Sequence, residues 1–408
     1  MPAHDTSDTG SRTNRRRVLQ LGGAATVAGL AGCLGNGGGN GNGGGNDENQ
    51  INLGCSISLS GQYANAGSNI RKGQDFMAEK INSDGGLEVD GTSYDLNIKY
   101  YDDQSDPSES ASRTQQLITE DGIDLILGPV TSSITYATLP IIKNNEAVMV
   151  QGYGIASQIF QEYGEGGYTF CTIVSAQDTP VSSLKAFTDP EVAEPPVETI
   201  AMFSDKGTYP QSLRDAITGP LAEQFGYEVV VDENVPSDVK DLSPVINSAK
   251  DSGADLFIMN THAATGQLAT NQMRNLEYSP KAVWASFGGF TTADYHDALG
   301  ARSRYQTGFA QYSPNWEYED PFFGSNQEFA TAYEEEFGNT PAFTQADGAN
   351  ILETMALAIQ NAGTTDTEPV REALRNLDQM TLFGPVNFDE LGRIQKPTGL
   401  LQRQGSDG

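Results

Sequence analysis

IDLILGPVTSS, residues 123–133, is the stretch whose reading decides the fold. Ile123 to Leu127 is, apart from Asp124, a short apolar run, the kind of strand that is buried on both faces of a parallel sheet. Gly128-Pro129 stops it, and Thr131, Ser132 and Ser133 open a helix that continues through Leu139-Pro140. The next strand, AVMVQGYG, follows at 147–154. Working backwards gives the same alternation. INLGCSISL is a strand, and a helix runs from about Ser68 to Ser83 with Ile70, Met77 and Ile81 on one face. YDLNIKYYDD alternates as a strand, and SDPSESASRTQQLITEDG is a serine-capped helix with acids in its first turn.

Working forwards, the rhythm breaks in the proline-rich stretch around Pro190 to Pro196 and restarts at ETIAMFSD, residues 198–205. Helices are expected at 209–225, 241–252 and 262–276, with strands YEVVVD, DLFIMN and AVWASF among them. Two runs of βαβ units predict an α/β fold of two Rossmann-like, doubly wound lobes with a cleft between them. The remainder is helical at about 322–337, 344–362 and 367–377, and FGPVNFDELGR is a final extended piece.

The 408 residues carry 54 acids against 24 bases, a formal charge of −30. The acids are scattered through a chain too apolar to be disordered, which reads as a solvated, salt-adapted, halophilic surface. Nucleic acid is excluded as a partner, because phosphate contacts need clustered Lys and Arg. In molar salt the Debye length falls to roughly 3 Å, so an anionic ligand is compatible with the charge. Cys33, Cys55 and Cys171 are too few and too far apart for a disulfide framework, and the last two read as buried thiols. His4, His262 and His296 show no metal-ligand spacing, so neither a metal nor another cofactor is expected. GxSxG, HExxH, GxxxxGK[ST] and a post-strand GxGxxG are all missing, and carboxylate pairs such as Glu334-Glu335 read as surface; the chain is not expected to be an enzyme.

Ligands of open α/β sheets gather at the carboxyl ends of strands, beside helix amino termini. Three such places stand out. At Leu127–Ser133, backbone N–H groups and the Ser132 hydroxyl suit a carboxylate, with Ser133 beside it; helix capping is the alternative use of the same serines. At Gln151–Gly154, Gly152 and Gly154 flank Tyr153 and permit close backbone approach, or simply make a turn. At Phe203–Tyr209, Tyr209 is placed to close over a ligand, unless the segment is a plain surface turn.

The opening residues, RTNRRRVLQLGGAATVAGLAGC at 12–33, join a positive patch to an apolar run too short for an ordinary span. NRRRVLQ resembles the twin-arginine export motif, with Arg15 and Arg16 as the pair. Leu30-Ala31-Gly32-Cys33 resembles a lipobox, which makes Cys33 the lipidated first residue of the mature protein; a transmembrane anchor with an incidental cysteine is the alternative. Residues 1–33 are thus an export signal and 34–50 a Gly/Asn-rich tether, spanning roughly 20–25 Å as a coil. Two acyl chains would be needed for stable anchoring at the outer face of the cell membrane.

The exported part resembles the solute-binding proteins of the branched-chain amino acid (Leu/Ile/Val) type, type I periplasmic binding proteins serving ABC transporters. The markers are Leu59-Ser60-Gly61, Glu79–Asn82 with Gly85-Gly86, Tyr101-Asp102-Asp103 and Ile126–Pro129 with Ser132. Asp205 with Tyr209, Ala346–Ala349 and Phe388-Asp389 complete them. The resemblance implies a three-segment hinge, with lobe one formed by 51–177 and 312–384 and lobe two by 178–311 and 385–408. It implies that Ser132 binds a ligand carboxylate, that Gly152 to Gly154 offer backbone groups, that Asp178 faces an ammonium and that Tyr209 comes from the second lobe. It also implies an ABC permease as partner.

Three departures from the family pattern bear on the ligand. Ala66 stands where an aromatic is frequent, Ser286-Phe287 replaces a glutamate near the amino group, and Thr261-His262 replaces a tyrosine. Losing an acid beside an ammonium removes a charge-assisted hydrogen bond of about 1.5–3 kcal/mol. An amino-acid-like solute is expected, with an amide or short organic acid as the alternative. A sensory ectodomain working with a separate receptor is the alternative role.

Overall fold

In a computed structural model of the chain, residues 49–291 and 293–404 are described. The export signal with Cys33 and nearly all of the tether lie outside the described residues. Two parallel-dominated sheets organise the rest, so the molecule has the mixed α/β, two-lobe architecture of type I periplasmic binding proteins.

The first sheet runs, edge to edge, Arg393–Ile394, Thr169–Val174, Val148–Gln151, Leu125–Leu127, Gln50–Ile57, Thr92–Asp102, Leu87–Val89. Its pairings are parallel except the last, a short hairpin. Leu125, Ile126 and Leu127 are all buried, as an apolar strand inside a parallel sheet requires. The second sheet runs Gly399–Gln402, Thr307–Ala310, Ala282–Ala285, Leu256–Asn260, Thr199–Asp205, Glu228–Val235, and only its first pair is antiparallel. In each sheet the strand order reverses beside the lobe's first strand, which places a crevice at the carboxyl ends of Gln50–Ile57 and Leu125–Leu127 in one lobe. In the other it lies at the ends of Thr199–Asp205 and Leu256–Asn260.

The chain passes between the sheets three times, after Val174, after Ala310 and between Ile394 and Gly399. The crossings are tied to one another. Val174 N donates to Gln311 Oε1 at 2.7 Å, Thr398 N donates to Ser182 Oγ at 3.1 Å, and Thr398 Oγ1 donates to the Thr179 carbonyl at 3.1 Å. The third crossing differs from the expected boundary at 384/385. Gly384–Asn387 pairs in a hairpin with Asp378–Thr381, and Arg393–Ile394 extends the first sheet. Only the last strand joins lobe two.

Several helix limits also move. Gly219-Pro220 splits the expected 209–225 helix into Thr208–Thr218 and Pro220–Phe225, because proline supplies no N–H but starts a helix well. The 322–337 helix begins only at Asn326, where Ser325 Oγ accepts from Glu328 N at 3.2 Å. Its expected first turn is a small hairpin, Glu319–Asp320 with Gly324–Ser325.

The helices Ala64–Ser83 and Phe343–Ala362 cross closely in the first lobe. A Cβ on Gly73 would stand 1.8 Å from the Gln345 carbonyl oxygen, and one on Gly348 would stand 2.1 Å from that of Ile70. Helix Phe343–Ala362 is buried along nearly its whole length and carries two acids into the core, Asp347 and Glu353. Glu353 Oε2 accepts from Leu382 N at 3.1 Å. Burial, with Asp320 close by, holds its carboxyl well above the usual carboxylate range. Among the described residues no helix is long and apolar enough to cross a membrane.

Candidate functional site

A cavity of about 430 Å³ lies between the lobes, at the carboxyl ends of both sheets. Its first-lobe wall includes Tyr63, Thr131, Ser132, Tyr153 and Phe343; its second-lobe wall includes Asp205, Tyr209, His262 and Phe287. The lobes meet around it. Ser133 Oγ and Thr208 Oγ1 lie 3.0 Å apart across the cleft, and Ser157 N donates to Ser212 Oγ at 3.2 Å. The Tyr63 and His262 rings also face each other across the cleft, with centroids 6.1 Å apart.

On the first-lobe side, Thr131 caps the helix Ser132–Asn144, its Oγ1 accepting from Ile134 N at 3.3 Å. The N–H groups of Ser132 and Ser133 have no intrahelical acceptor, and with the helix dipole they favour an anion. The Ser132 hydroxyl lines the cavity but is already engaged. It donates to the Tyr153 carbonyl at 3.1 Å and accepts from Ile155 N and Ala156 N, each at 3.1 Å. Its work here is to clamp the 153–156 loop against the helix, so the anion-binding capacity of this wall resides in backbone amides.

On the second-lobe side, Asp205 ends strand Thr199–Asp205, and Thr261 and His262 follow strand Leu256–Asn260. The two strands are paired with Ser204 opposite Asn260, which brings residues 57 positions apart into contact. Asp205 Oδ2 accepts from Thr261 Oγ1 at 2.9 Å and stands 2.9 Å from His262 Nδ1, while Oδ1 accepts from Gly207 N at 2.8 Å. The carboxylate is 1% exposed and the imidazole 37% exposed. Burial pushes the Asp205 pKa up, but the hydrogen bonds and the charge of His262 outweigh it and hold the pKa below the usual value. The Tyr209 hydroxyl donates to the Ser286 carbonyl, leaving its ring to the cavity.

Of the residues marked in the sequence, Ser132, Tyr153, Tyr209 and Phe287 line the cavity. Four do not. Ser133 is turned to Thr208 in the interlobe contact. Gly152 packs against the core: a Cβ there would fall 2.1 Å from Asp347 Oδ2. Gly154 is held by Gln151, whose Nε2 donates to its carbonyl at 3.1 Å. Asp178 stands at the start of helix Thr179–Thr188, where it accepts from Ser175 Oγ at 2.6 Å in the first crossing.

Sequence reading marked Asp205 and His262 separately, as a family marker and as a departure, but not their contact. Asp205 ends and His262 follows the strands that flank the crevice, which is the signal that could have joined them.

Beneath Gly152 and Tyr153 lies Asp347, fully buried and without a hydrogen-bond partner among the described residues. Burial pushes its carboxyl up to about 8, with the Lys396 ammonium pulling the other way. Lys396 sits in the third crossing, where burial lowers its pKa to about 7 and Asp347 opposes that. Among the described residues no cluster of His, Cys, Asp and Glu has the make-up of a metal site.

Comparison with known proteins agrees with this architecture. Residues 50–407 match the family described as periplasmic binding protein. The Leu/Ile/Val-binding protein homolog 3 of Brucella melitensis is 24% identical over 352 residues, covering 85% of this chain and 89% of that one. The branched-chain amino acid substrate-binding protein LivJ of Streptococcus pneumoniae, solved with isoleucine, superposes with a TM-score of 0.75 at 17% identity, covering 87% of this chain and 96% of that one. A solute-binding protein of an ABC transporter from Rhodopseudomonas palustris, solved with 3,4-dihydroxybenzoic acid, gives 0.74 at 19% identity, covering 88% and 95%. With the sheet order, the three crossings and the interlobe cavity, the match over residues 50–407 shows that this chain belongs to the periplasmic binding protein family.

Proposed function

We propose that the chain is the solute-capturing component of an ABC uptake system, held at the outer face of the cell membrane through Cys33. It closes on a small carboxylate of amino-acid size and delivers it, chemically unchanged, to a permease. The observation that carries this reading is the interlobe cavity, with a helix amino terminus lacking intrahelical acceptors on one wall and a fixed polar cluster on the other. The ligands named for the two structural neighbours, isoleucine and 3,4-dihydroxybenzoic acid, differ in every group except the carboxylate. That shared group fits the helix terminus of the first lobe. Capture works by population shift: a ligand touching both walls stabilises the closed arrangement over the open one.

The test is calorimetry of the full chain in molar salt against a broad panel of small carboxylates, amino acids and amides, with scattering to follow closure. Binding accompanied by compaction supports the reading; no binding across the panel overturns it. Uptake of the bound solute by cells with and without the chain separates transport from sensing, since a sensor leaves uptake unchanged. Replacing Cys33 by Ala should move the protein from the membrane fraction to the medium.

A further inference from the structure

We infer that the ligand is an aromatic carboxylate that lacks an α-ammonium group. This rests on the reading of the cleft as a carboxylate-capture site and names the chemistry of the rest of the ligand. Asp205 is the only acid lining the cavity among the described residues. A carboxylate has about four lone-pair positions. Asp205 already meets the Thr261 hydroxyl, the Gly207 amide and the His262 imidazole, and almost none of it is exposed. Three of those positions are filled and the fourth is not open to solvent, so an ammonium reaching it would arrive stripped of water. The other residue marked in the sequence for an ammonium, Asp178, does not line the cavity and accepts from Ser175 Oγ.

What the cavity does offer is aromatic surface from both lobes. Tyr63, Tyr153 and Phe343 come from the first, and Tyr209, His262 and Phe287 from the second. Several of these rings are braced by one another. Tyr153 stands edge-on to Phe343 at 5.9 Å, and His262 lies between Tyr63 at 6.1 Å and Tyr209 at 6.3 Å. Rings fixed in this way present faces and edges to a flat ligand at small entropic cost. His262, tied through Nδ1 to Asp205, keeps the acid occupied and adds a ring to the wall. It is therefore a specificity-determining residue, acting against amines.

The experiment titrates the full chain in molar salt with two matched pairs: 3-phenylpropanoate against phenylalanine, and benzoate against leucine. The first pair differs only by the ammonium. The expected result is that 3-phenylpropanoate binds at least tenfold more tightly than phenylalanine, and benzoate more tightly than leucine. In H262A, Asp205 loses its imidazole partner on the cavity side and the preference for 3-phenylpropanoate over phenylalanine should narrow several-fold. Tighter binding of either amino acid by the wild type overturns the inference while leaving carboxylate capture intact. A preference that is unmoved in a folded H262A overturns the role of His262. Absence of binding by all four overturns the inference, whereas the capture reading is decided by its broader panel. The wild-type ratio stands even if H262A fails to fold.

Discussion

The two walls of the cleft are built from different materials. The first lobe presents a helix amino terminus whose first backbone N–H groups have no intrahelical acceptor, and its hydroxyl on Ser132 is consumed in holding the neighbouring loop. The second lobe presents side chains, Asp205 and His262, that are fixed by each other and by Thr261. Backbone amides recognise a carboxylate whatever it is attached to, because every residue supplies one. Side chains can be exchanged without rebuilding the strands beneath them. In the proposed function, the first wall sets that a carboxylate is bound, and the second sets which one.

Substitutions sharpen or break that contrast. The largest effect is expected from Asp205→Ala, which leaves the Thr261 hydroxyl, the Gly207 amide and the His262 ring facing an empty site. Hydrogen bonds to a charged group are worth about 1.5–3 kcal/mol each, and buried donors left without partners add to the loss. Denaturant unfolding should show about 3 kcal/mol less stability, with ligand binding weakened as the His262 ring loses its anchor. Because folding lowers the Asp205 pKa, its contribution is present above the unfolded carboxylate value near 3.8 and is lost as pH falls through the folded value. The difference between wild type and D205A should thus shrink in acid.

Ser132→Ala comes next. It frees the Ile155 and Ala156 amides and should weaken every carboxylate by a similar factor, roughly tenfold for about 1–2 kcal/mol of lost loop fixation. If it instead changed selectivity between ligands, the division of labour between the walls would be wrong. Calorimetry on the matched ligand pairs reads this directly.

Glu353→Gln tests the interior behind the first wall. Folding raises the Glu353 pKa, so the protein prefers it neutral, and stability is lost as pH rises above the unfolded value near 4.5. A neutral glutamine escapes that loss. E353Q should melt above the wild type at pH 8, with the gain fading toward pH 4, as thermal melts across that range would show. The smallest effect is expected from Thr208→Val, which removes the bond to Ser133 across the cleft. It should cost about 0.5–1.5 kcal/mol of closure and lower affinity a few-fold without altering ligand preference.

The sequence carried the strand rhythm well, and for a physical reason. A strand buried on both faces has to be an apolar run, and 125–127 and 256–259 show it plainly. It carried less of the site. Ser132 and Tyr209 could be marked because each opens a helix after a strand, yet neither hydroxyl is free in the folded protein. The Asp205–His262 contact depends on the pairing register of strands Thr199–Asp205 and Leu256–Asn260, which local pattern does not encode. Asp178 misled for a similar reason: its place in the family pattern says nothing of the Ser175 hydroxyl that takes up its carboxylate. The return of Arg393–Ile394 to the first sheet was equally hidden, because a two-residue strand has no periodicity.

The most direct measurement is a calorimetric titration of the full chain with 3-phenylpropanoate in molar salt, run on wild type and on D205A. One-to-one binding by the wild type that weakens several-fold in a folded D205A, where the His262 ring has lost its anchor, is the predicted result. Unchanged binding in D205A would contradict it, because the ligand would then not rest on the wall that Asp205 fixes.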